Sequence, residues 1–173
     1  MNHDSYSDAY IREILDETKT VAMVGASSNN VRPSYFVLKY MLAKDYDVWP
    51  INPGQASKEI LGQTVYASLA DLPETPDMID IFRNSEAAGQ VVDDVLASGN
   101  LPMVIWMQLT VRHDEAAKRA EDAGIKVVMD RCPKIEYGRL SGEIGWAGVN
   151  SRTVSSKRPA LKAGFQHRGL RGK

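Results

Sequence analysis

The segment Gly25-Ala26-Ser27-Ser28-Asn29 closes an apolar run and leads into a helical pattern that opens at Pro33. Gly25 lets the backbone turn closely, Ser27 and Ser28 offer N–H and hydroxyl donors, and the start of the helix adds partial positive charge. Such a loop suits a phosphate or pyrophosphate; a plain strand-to-helix turn is the ordinary alternative for a short Gly/Ser stretch. Arg32, just before the helix, can pair with a phosphate or stand as a solvated surface arginine. Arg83 and Gln108 follow the third and fourth apolar runs and so share the same predicted edge, where loop carbonyls or water are their alternative partners. Trp49 and Trp106 read as packing residues before stacking platforms.

Two absences narrow the ligand. A dinucleotide site calls for G-x-G-x-x-G at this loop and an acidic residue ending the second strand to hold a ribose hydroxyl. Here the loop has one glycine, and the second run ends Trp49-Pro50-Ile51-Asn52-Pro53. The Walker pattern G-x-x-x-x-G-K-[ST] is missing as well, so nothing supports ATP hydrolysis by a P-loop. Cys132 is the single cysteine, and His3, His113 and His167 are scattered without metal-ligand spacing. Arg131 beside Cys132 and a helix start near Pro133 would lower the thiol pKa, whereas a buried structural cysteine needs neither.

These residues need a frame to hold them. Apolar runs at 20–25, 47–52, 78–82, 103–107 and 126–129 read as buried strands, and helical spacing separates most of them, as in Tyr35, Leu38, Met41 and Leu42, or Ala87, Val91, Val92, Val95 and Leu96. The alternation predicts an α/β, Rossmann-like, doubly wound fold: a mainly parallel five-stranded sheet with helices on both faces. Pro33 suits a first helical turn, Ser85 caps the next helix, Ser7 caps an N-terminal helix carrying Ile11, Ile14 and Leu15 on one face, and Gly99 and Gly124 stop helices. Between Pro53 and Pro76 the pattern supports only a short turn at Ser68 to Leu72, in place of a full crossover helix. In such a fold ligands bind beyond the carboxyl ends of the strands, where strand order reverses.

The chain has 173 residues, 43% of them hydrophobic, which fits one domain with extensions. No run of about 18 apolar residues is present to span a bilayer, and the first residues are polar, so no membrane association and a cytoplasmic setting are expected. Charge is unevenly placed. Arg152, Lys157, Arg158, Lys162, Arg168, Arg171 and Lys173 follow the last acidic residue, Glu143, while the other 14 basic residues share the preceding chain with all 22 acidic ones. We divide the sequence into a Rossmann-like ligand-binding domain over 1–140, including the N-terminal helix, and a basic C-terminal extension over 141–173. Within the extension, 142–149 with Trp146 reads as a packed piece, and 151–173 as dispensable for folding and ligand binding. The extension is either an arm for nucleic acid or another anionic partner, or a solvated segment drawn to the acidic body or a neighbouring subunit.

Several segments taken together carry a family resemblance. They are Val21-Ala22-Met23-Val24-Gly25-Ala26-Ser27, Arg32-Pro33-Ser34-Tyr35, Pro50-Ile51-Asn52-Pro53, Ile60-Leu61-Gly62, Val65-Tyr66-Ala67-Ser68-Leu69, Ile105-Trp106-Met107-Gln108 and Met129-Asp130-Arg131-Cys132-Pro133-Lys134-Ile135-Glu136. In this order and spacing the chain resembles, over about residues 8–140, the predicted CoA-binding protein family, stand-alone relatives of the CoA-binding domain of the succinyl-CoA synthetase alpha subunit. The resemblance implies coenzyme A as the cofactor, held across the carboxyl edge. It places Gly25, Ala26, Ser27, Ser28 and Arg32 at the nucleotide phosphates with Pro33 and Ser34 at the helix start, and Asn52 and Pro53 at the adenosine end. Phe82, Arg83, Met107, Gln108 and Leu109 would line the pantetheine path. One departure is Gln108-Leu109-Thr110, where family members often carry glycine after the pair, which alters access to the thioester. The synthetase's phosphohistidine region and nucleotide-binding partner have no counterpart here, so ligase activity is not implied.

The expected function is therefore binding of CoA or an acyl-CoA by a non-catalytic module, as sensor, carrier or part of an assembly, with a homo-oligomer or protein partner as further possibilities. An enzyme acting on a CoA thioester is the alternative, with Cys132 as its nominated nucleophile and possible redox residue. Nucleic-acid binding through the tail is the weakest reading, because Phe165 is the only aromatic interleaved with its basic residues.

Overall fold

The computed structural model describes residues 1–143. In chain order its elements are α1 (Asp8–Glu17), β1 (Thr20–Val24), α2 (Pro33–Leu42), β2 (Asp47–Ile51), β3 (Glu59–Ile60), β4 (Gln63–Thr64), β5 (Met78–Ile81), α3 (Ser85–Ser98), β6 (Val104–Met107), α4 (Asp114–Asp122), β7 (Lys126–Val128) and α5 (Pro133–Ser141). Five strands form one parallel sheet in the order β2-β1-β5-β6-β7, and β3 and β4 form a small antiparallel hairpin. The chain leaves β1 toward β2 and later leaves β2 for β5, on the other side of β1. Loops above β1 and β5 therefore diverge, and this is the switch point of the doubly wound fold.

Both faces of the sheet are covered, which is why the strands are continuous apolar runs rather than alternating ones. Val21, Met23, Met78, Val104 and Trp106 face a layer made by α1, α2 and α5, where Ile11, Ile14, Leu15, Val37, Leu38 and Met41 are buried. Ala22, Ile79, Ile81, Ile105 and Met107 face α3 and α4, through Val92, Val95, Ala116, Ala117 and Ala120. The alanines of α4 let that helix lie close to the sheet, and its other face is charged.

Local chemistry sets most of the helix limits. The Ser7 hydroxyl accepts from Tyr10 N at 3.2 Å, Pro33 is the first residue of α2, and Gly99 ends α3 in the left-handed region. The cap of α3 differs from the expected Ser85. Asn84 holds the extended conformation of a cap and its Oδ1 accepts from Ala87 N at 2.8 Å, while Ser85, one residue into the helix, accepts from Arg112 N. Between β2 and β5 no α-helix forms. Two 3₁₀ turns, Pro53–Gln55 and Leu69–Asp71, and the β3–β4 hairpin occupy that stretch, the second turn closed by a capping box between Ser68 and Asp71. The expected packed piece around Trp146 and the basic stretch 151–173 lie outside the described residues. Among the described residues no helix is long and apolar enough to cross a membrane.

Candidate functional site

The turn after β1 is built by the protein's own backbone. Gly25 has φ +87°, and a Cβ there would stand 2.6 Å from the Phe82 carbonyl oxygen, at the mouth of β5. The N–H groups of Gly25 and Ala26 both donate to Ile51 O, at 3.0 and 3.2 Å. These two donors are thus spent on joining β1 to β2. The side chain of Asn52 reinforces the same junction, giving Nδ2 to Ala26 O at 2.7 Å and taking Gly54 N on Oδ1 at 2.9 Å. Asn52 therefore shapes the loop, and no carboxylate stands at the end of β2.

Of the donors that the sequence offered to a phosphate at Ser27 and Ser28, the N–H of Ser28 and the hydroxyl of Ser27 are engaged within the protein as well. Ser28 N donates to Gln55 Oε1, Asn29 N to Ser27 Oγ and Val31 N to Asn29 Oδ1, so the loop is wound tightly over residues 27–31. The first turn of α2 has no side-chain cap, which leaves its positive end open to an anion. Arg32, at the cap position, and Arg83, just past β5, are both exposed and enter no ion pair among the described residues. Two unneutralised guanidinium groups thus flank the switch point.

Below them runs a groove of about 840 Å³. Gly25, Pro53 and Arg83 form its head, and it descends between the turn at Leu69 and the exposed side of α3 as far as Ser98. Val24, Ile51, Ile79 and Val91 give it apolar walls, and Gln90, Asp94 and Glu74 supply polar ones. Its existence follows from the missing crossover helix, since a helix between β2 and β5 would fill this space. No motif in the sequence marks the lower groove. The stretch 53–76, which has apolar anchors but no helical period, was the available signal.

The other expected site residues divide into two groups. Ala26 and Met107 are fully buried, one in each core layer, and Ser34 is buried at the start of α2. These three support the site from beneath. Phe82, Gln108 and the exposed Leu109 lie at the carboxyl ends of β5 and β6, and Thr110 follows with φ +68°, its N–H held by Asp130 Oδ1 at 2.7 Å. Thr110 occupies a backbone state that favours glycine, which accounts physically for glycine as the alternative there.

Two ionisable groups lie under this edge. Asp80, on the central strand, is fully buried, and among the described residues its oxygens accept only from Gln108 Nε2, at 2.9 and 3.1 Å. Desolvation pushes its pKa up to about 7, against the smaller opposing effect of the Gln108 hydrogen bond. Cys132 packs in the layer of α1, α2 and α5, and burial raises its thiol pKa. Of the two readings of Cys132, activation by Arg131 gives way to burial, and the guanidinium of Arg131 lies over the Tyr6 ring, 5.5 Å from its centroid. At neutral pH a thiol reagent is therefore expected to modify Cys132 at least about tenfold more slowly in the native chain than in denatured chain. Equal rates in a stopped-flow assay would make Cys132 a reactive group after all.

Residues 19–138 match the family described as CoA binding domain. The chain belongs to this family. It is 34% identical over 131 residues to YneT of Bacillus subtilis (strain 168), a match covering 76% of this chain and 94% of that one. Among solved structures, the Thermus thermophilus protein cell-free ID.343 is 38% identical with a TM-score of 0.73, covering 78% of this chain and 99% of that one. A hypothetical protein from Pyrococcus horikoshii OT3 is 36% identical with the same TM-score, covering 81% and 96%. An acetyl-coenzyme A synthetase of Ca. Korarchaeum cryptofilum is 25% identical with a TM-score of 0.56, covering 66% of this chain and 26% of the synthetase. The CoA binding domain family thus spans the whole sheet of this chain, from β1 to α5. The Rossmann-like fold expected from the sequence is shared with these structures.

Proposed function

We propose that this chain binds coenzyme A or an acyl-CoA as a binding module, with the nucleotide end at the switch point and the pantetheine arm along the carboxyl edge. The observation that carries the reading is Arg83 beside the Gly25 turn at the head of an open groove, with Arg32 at the uncapped start of α2, neither arginine entering an ion pair among the described residues. Phosphates on a coenzyme would neutralise guanidinium groups that have no ion-pair partner among the described residues. The residues present fit the ligand. Asn52, with its amide already engaged on both sides, replaces the carboxylate that a nicotinamide dinucleotide needs at the end of β2. Burial of Cys132 favours binding over covalent chemistry on a thioester.

The test is differential scanning of the full chain with coenzyme A, NAD and NADP at equal concentration. A ligand that binds only the folded state at about 100 times its Kd adds about 2.7 kcal/mol, or a rise of roughly 5–10 °C in Tm. That rise is expected with coenzyme A and not with NAD or NADP. A shift with NAD as large as that with coenzyme A would overturn the assignment.

A further inference from the structure

Asp80 lies between Met23 and Trp106 in the register of the three central strands. By strand alternation it faces the same layer as Met78, beneath the carboxyl edge. Gln108, the first residue after β6, reaches back to it with Nε2 and fixes its own N–H on Ile81 O. Among the described residues the one fully buried side-chain polar atom without a hydrogen bond is His3 Nε2. Gln108 Oε1 has no hydrogen bond to the described residues and is not among their buried unpaired atoms, so it is the end of the amide that is open.

The direction of that amide is not free. An ionised carboxylate has only acceptors, so it turns the NH₂ group of Gln108 inward and the oxygen outward. A protonated Asp80 carries an O–H that donates to Oε1, which takes that oxygen away from the carboxyl edge. We propose that Asp80 is a positioning residue for the bound ligand: by engaging Nε2 it presents Gln108 Oε1 at the carboxyl edge as the acceptor for an amide N–H of the pantetheine arm. The inference rests on the coenzyme A reading above and adds to it a residue that touches no ligand.

Other titratable groups lie on the elements around this pair, among them Glu136 of α5, which is buried and ion-paired with Arg139 at 2.7 Å. From α5 the thiol of Cys132 acts electrostatically with Asp80, and Lys134 beside that thiol acts in the opposite sense. Tyr46 and Tyr137 are the phenols buried in the same layer. The residues that α1 and α2 bury there, Ile11, Ile14, Leu15, Val37, Leu38 and Met41, carry no charge. The two strands alongside contribute Met23 and Trp106. Burial raises the Asp80 pKa to about 7, so the engagement of Oε1 is expected to change around neutral pH.

The experiment is isothermal titration of the full chain with coenzyme A and with 3′-phosphoadenosine 5′-diphosphate capped as its methyl ester, which has the same phosphate ionisations and no arm. Phosphate ionisation affects both ligands, so the ratio of their affinities isolates the arm. From about pH 5.5 to about pH 8.5 that ratio is expected to rise roughly five- to tenfold, the worth of one hydrogen bond, with its midpoint near the Asp80 pKa. Asp80→Asn is expected to give a ratio that does not change with pH. Gln108→Ala serves if that variant does not fold, and should hold the ratio at its acid value throughout. A wild-type ratio that stays constant while coenzyme A still binds overturns this inference alone. Failure of both ligands to bind overturns the coenzyme A reading and this inference together.

Discussion

Gly25→Ala is expected to lose the coenzyme-induced rise in Tm and to lower the Tm of the free chain by roughly 10 °C, the effect of about 3 kcal/mol or more in a domain of this size. The cost has two parts. A side chain at φ +87° is strained by itself, at about 1–2 kcal/mol. The new Cβ also meets the Phe82 carbonyl oxygen at 2.6 Å, and that oxygen is backbone that cannot rotate away. Phe82 N is tied to Val24 O at 2.8 Å, so any retreat of Phe82 pulls apart β1 and β5 at the switch point. Arg83, whose Cδ lies 3.0 Å from the same position, would be displaced from the head of the groove. Gly62→Ala is the control. It has a similar φ of +78° but opens on empty space, so it should show only the conformational part of the loss and leave ligand binding unchanged. Circular dichroism melts and titration calorimetry below both midpoints separate stability from affinity. Equal losses in the two variants would show that the close approach to Phe82 carries no weight.

This glycine shows what a linear reading can and cannot supply. Its need for a turn was legible, because a lone glycine between an apolar run and a helix start marks the point where the backbone reverses from strand to helix. That the close neighbour is the Phe82 backbone was not, since it depends on β5 lying beside β1, 57 residues apart in the register of Val24 with Ile81. The strands and most helix limits were legible for a related reason: burial on both faces writes itself as an unbroken apolar run, and caps are local. Asn84 and Ser85 are both good caps, and only the backbone decides between them. Ala26, Ser34 and Met107 belong to matched motifs, yet motif membership does not distinguish a residue that touches a ligand from one that holds the loop in place. His113 was read only as a histidine without metal spacing. In the fold it caps α4 through Nδ1 and its ring packs so close to Gly89 that a Cβ there would stand 2.5 Å away. Asp80 was hidden inside the third apolar run, and its partner Gln108 comes from the next strand.

The last expectation concerns the stability contribution of that buried carboxyl. In the unfolded chain Asp80 ionises near its ordinary value of 3.8, whereas in the folded chain burial delays ionisation to about 7. Between those values folding takes up a proton, so the folded state binds more protons than the unfolded one. Stability then falls as pH rises through this window and stays at its lower level above 7. Asp80→Asn keeps the shape and never ionises, so it lacks this term. Relative to wild type the variant should therefore gain on the order of 4 kcal/mol between about pH 4 and about pH 8.5, or roughly 10 °C in Tm. The quantity to read is the change in the difference between two melting curves with pH, because a fixed offset from the new amide cancels in it. A chain that retains a carboxyl this costly in its central strand gives up stability at neutral pH, a trade expected where an ionised group orients a ligand contact rather than supports the fold. If the difference between variant and wild type is the same at every pH, Asp80 does not change charge in this window, and the amide of Gln108 keeps one direction throughout.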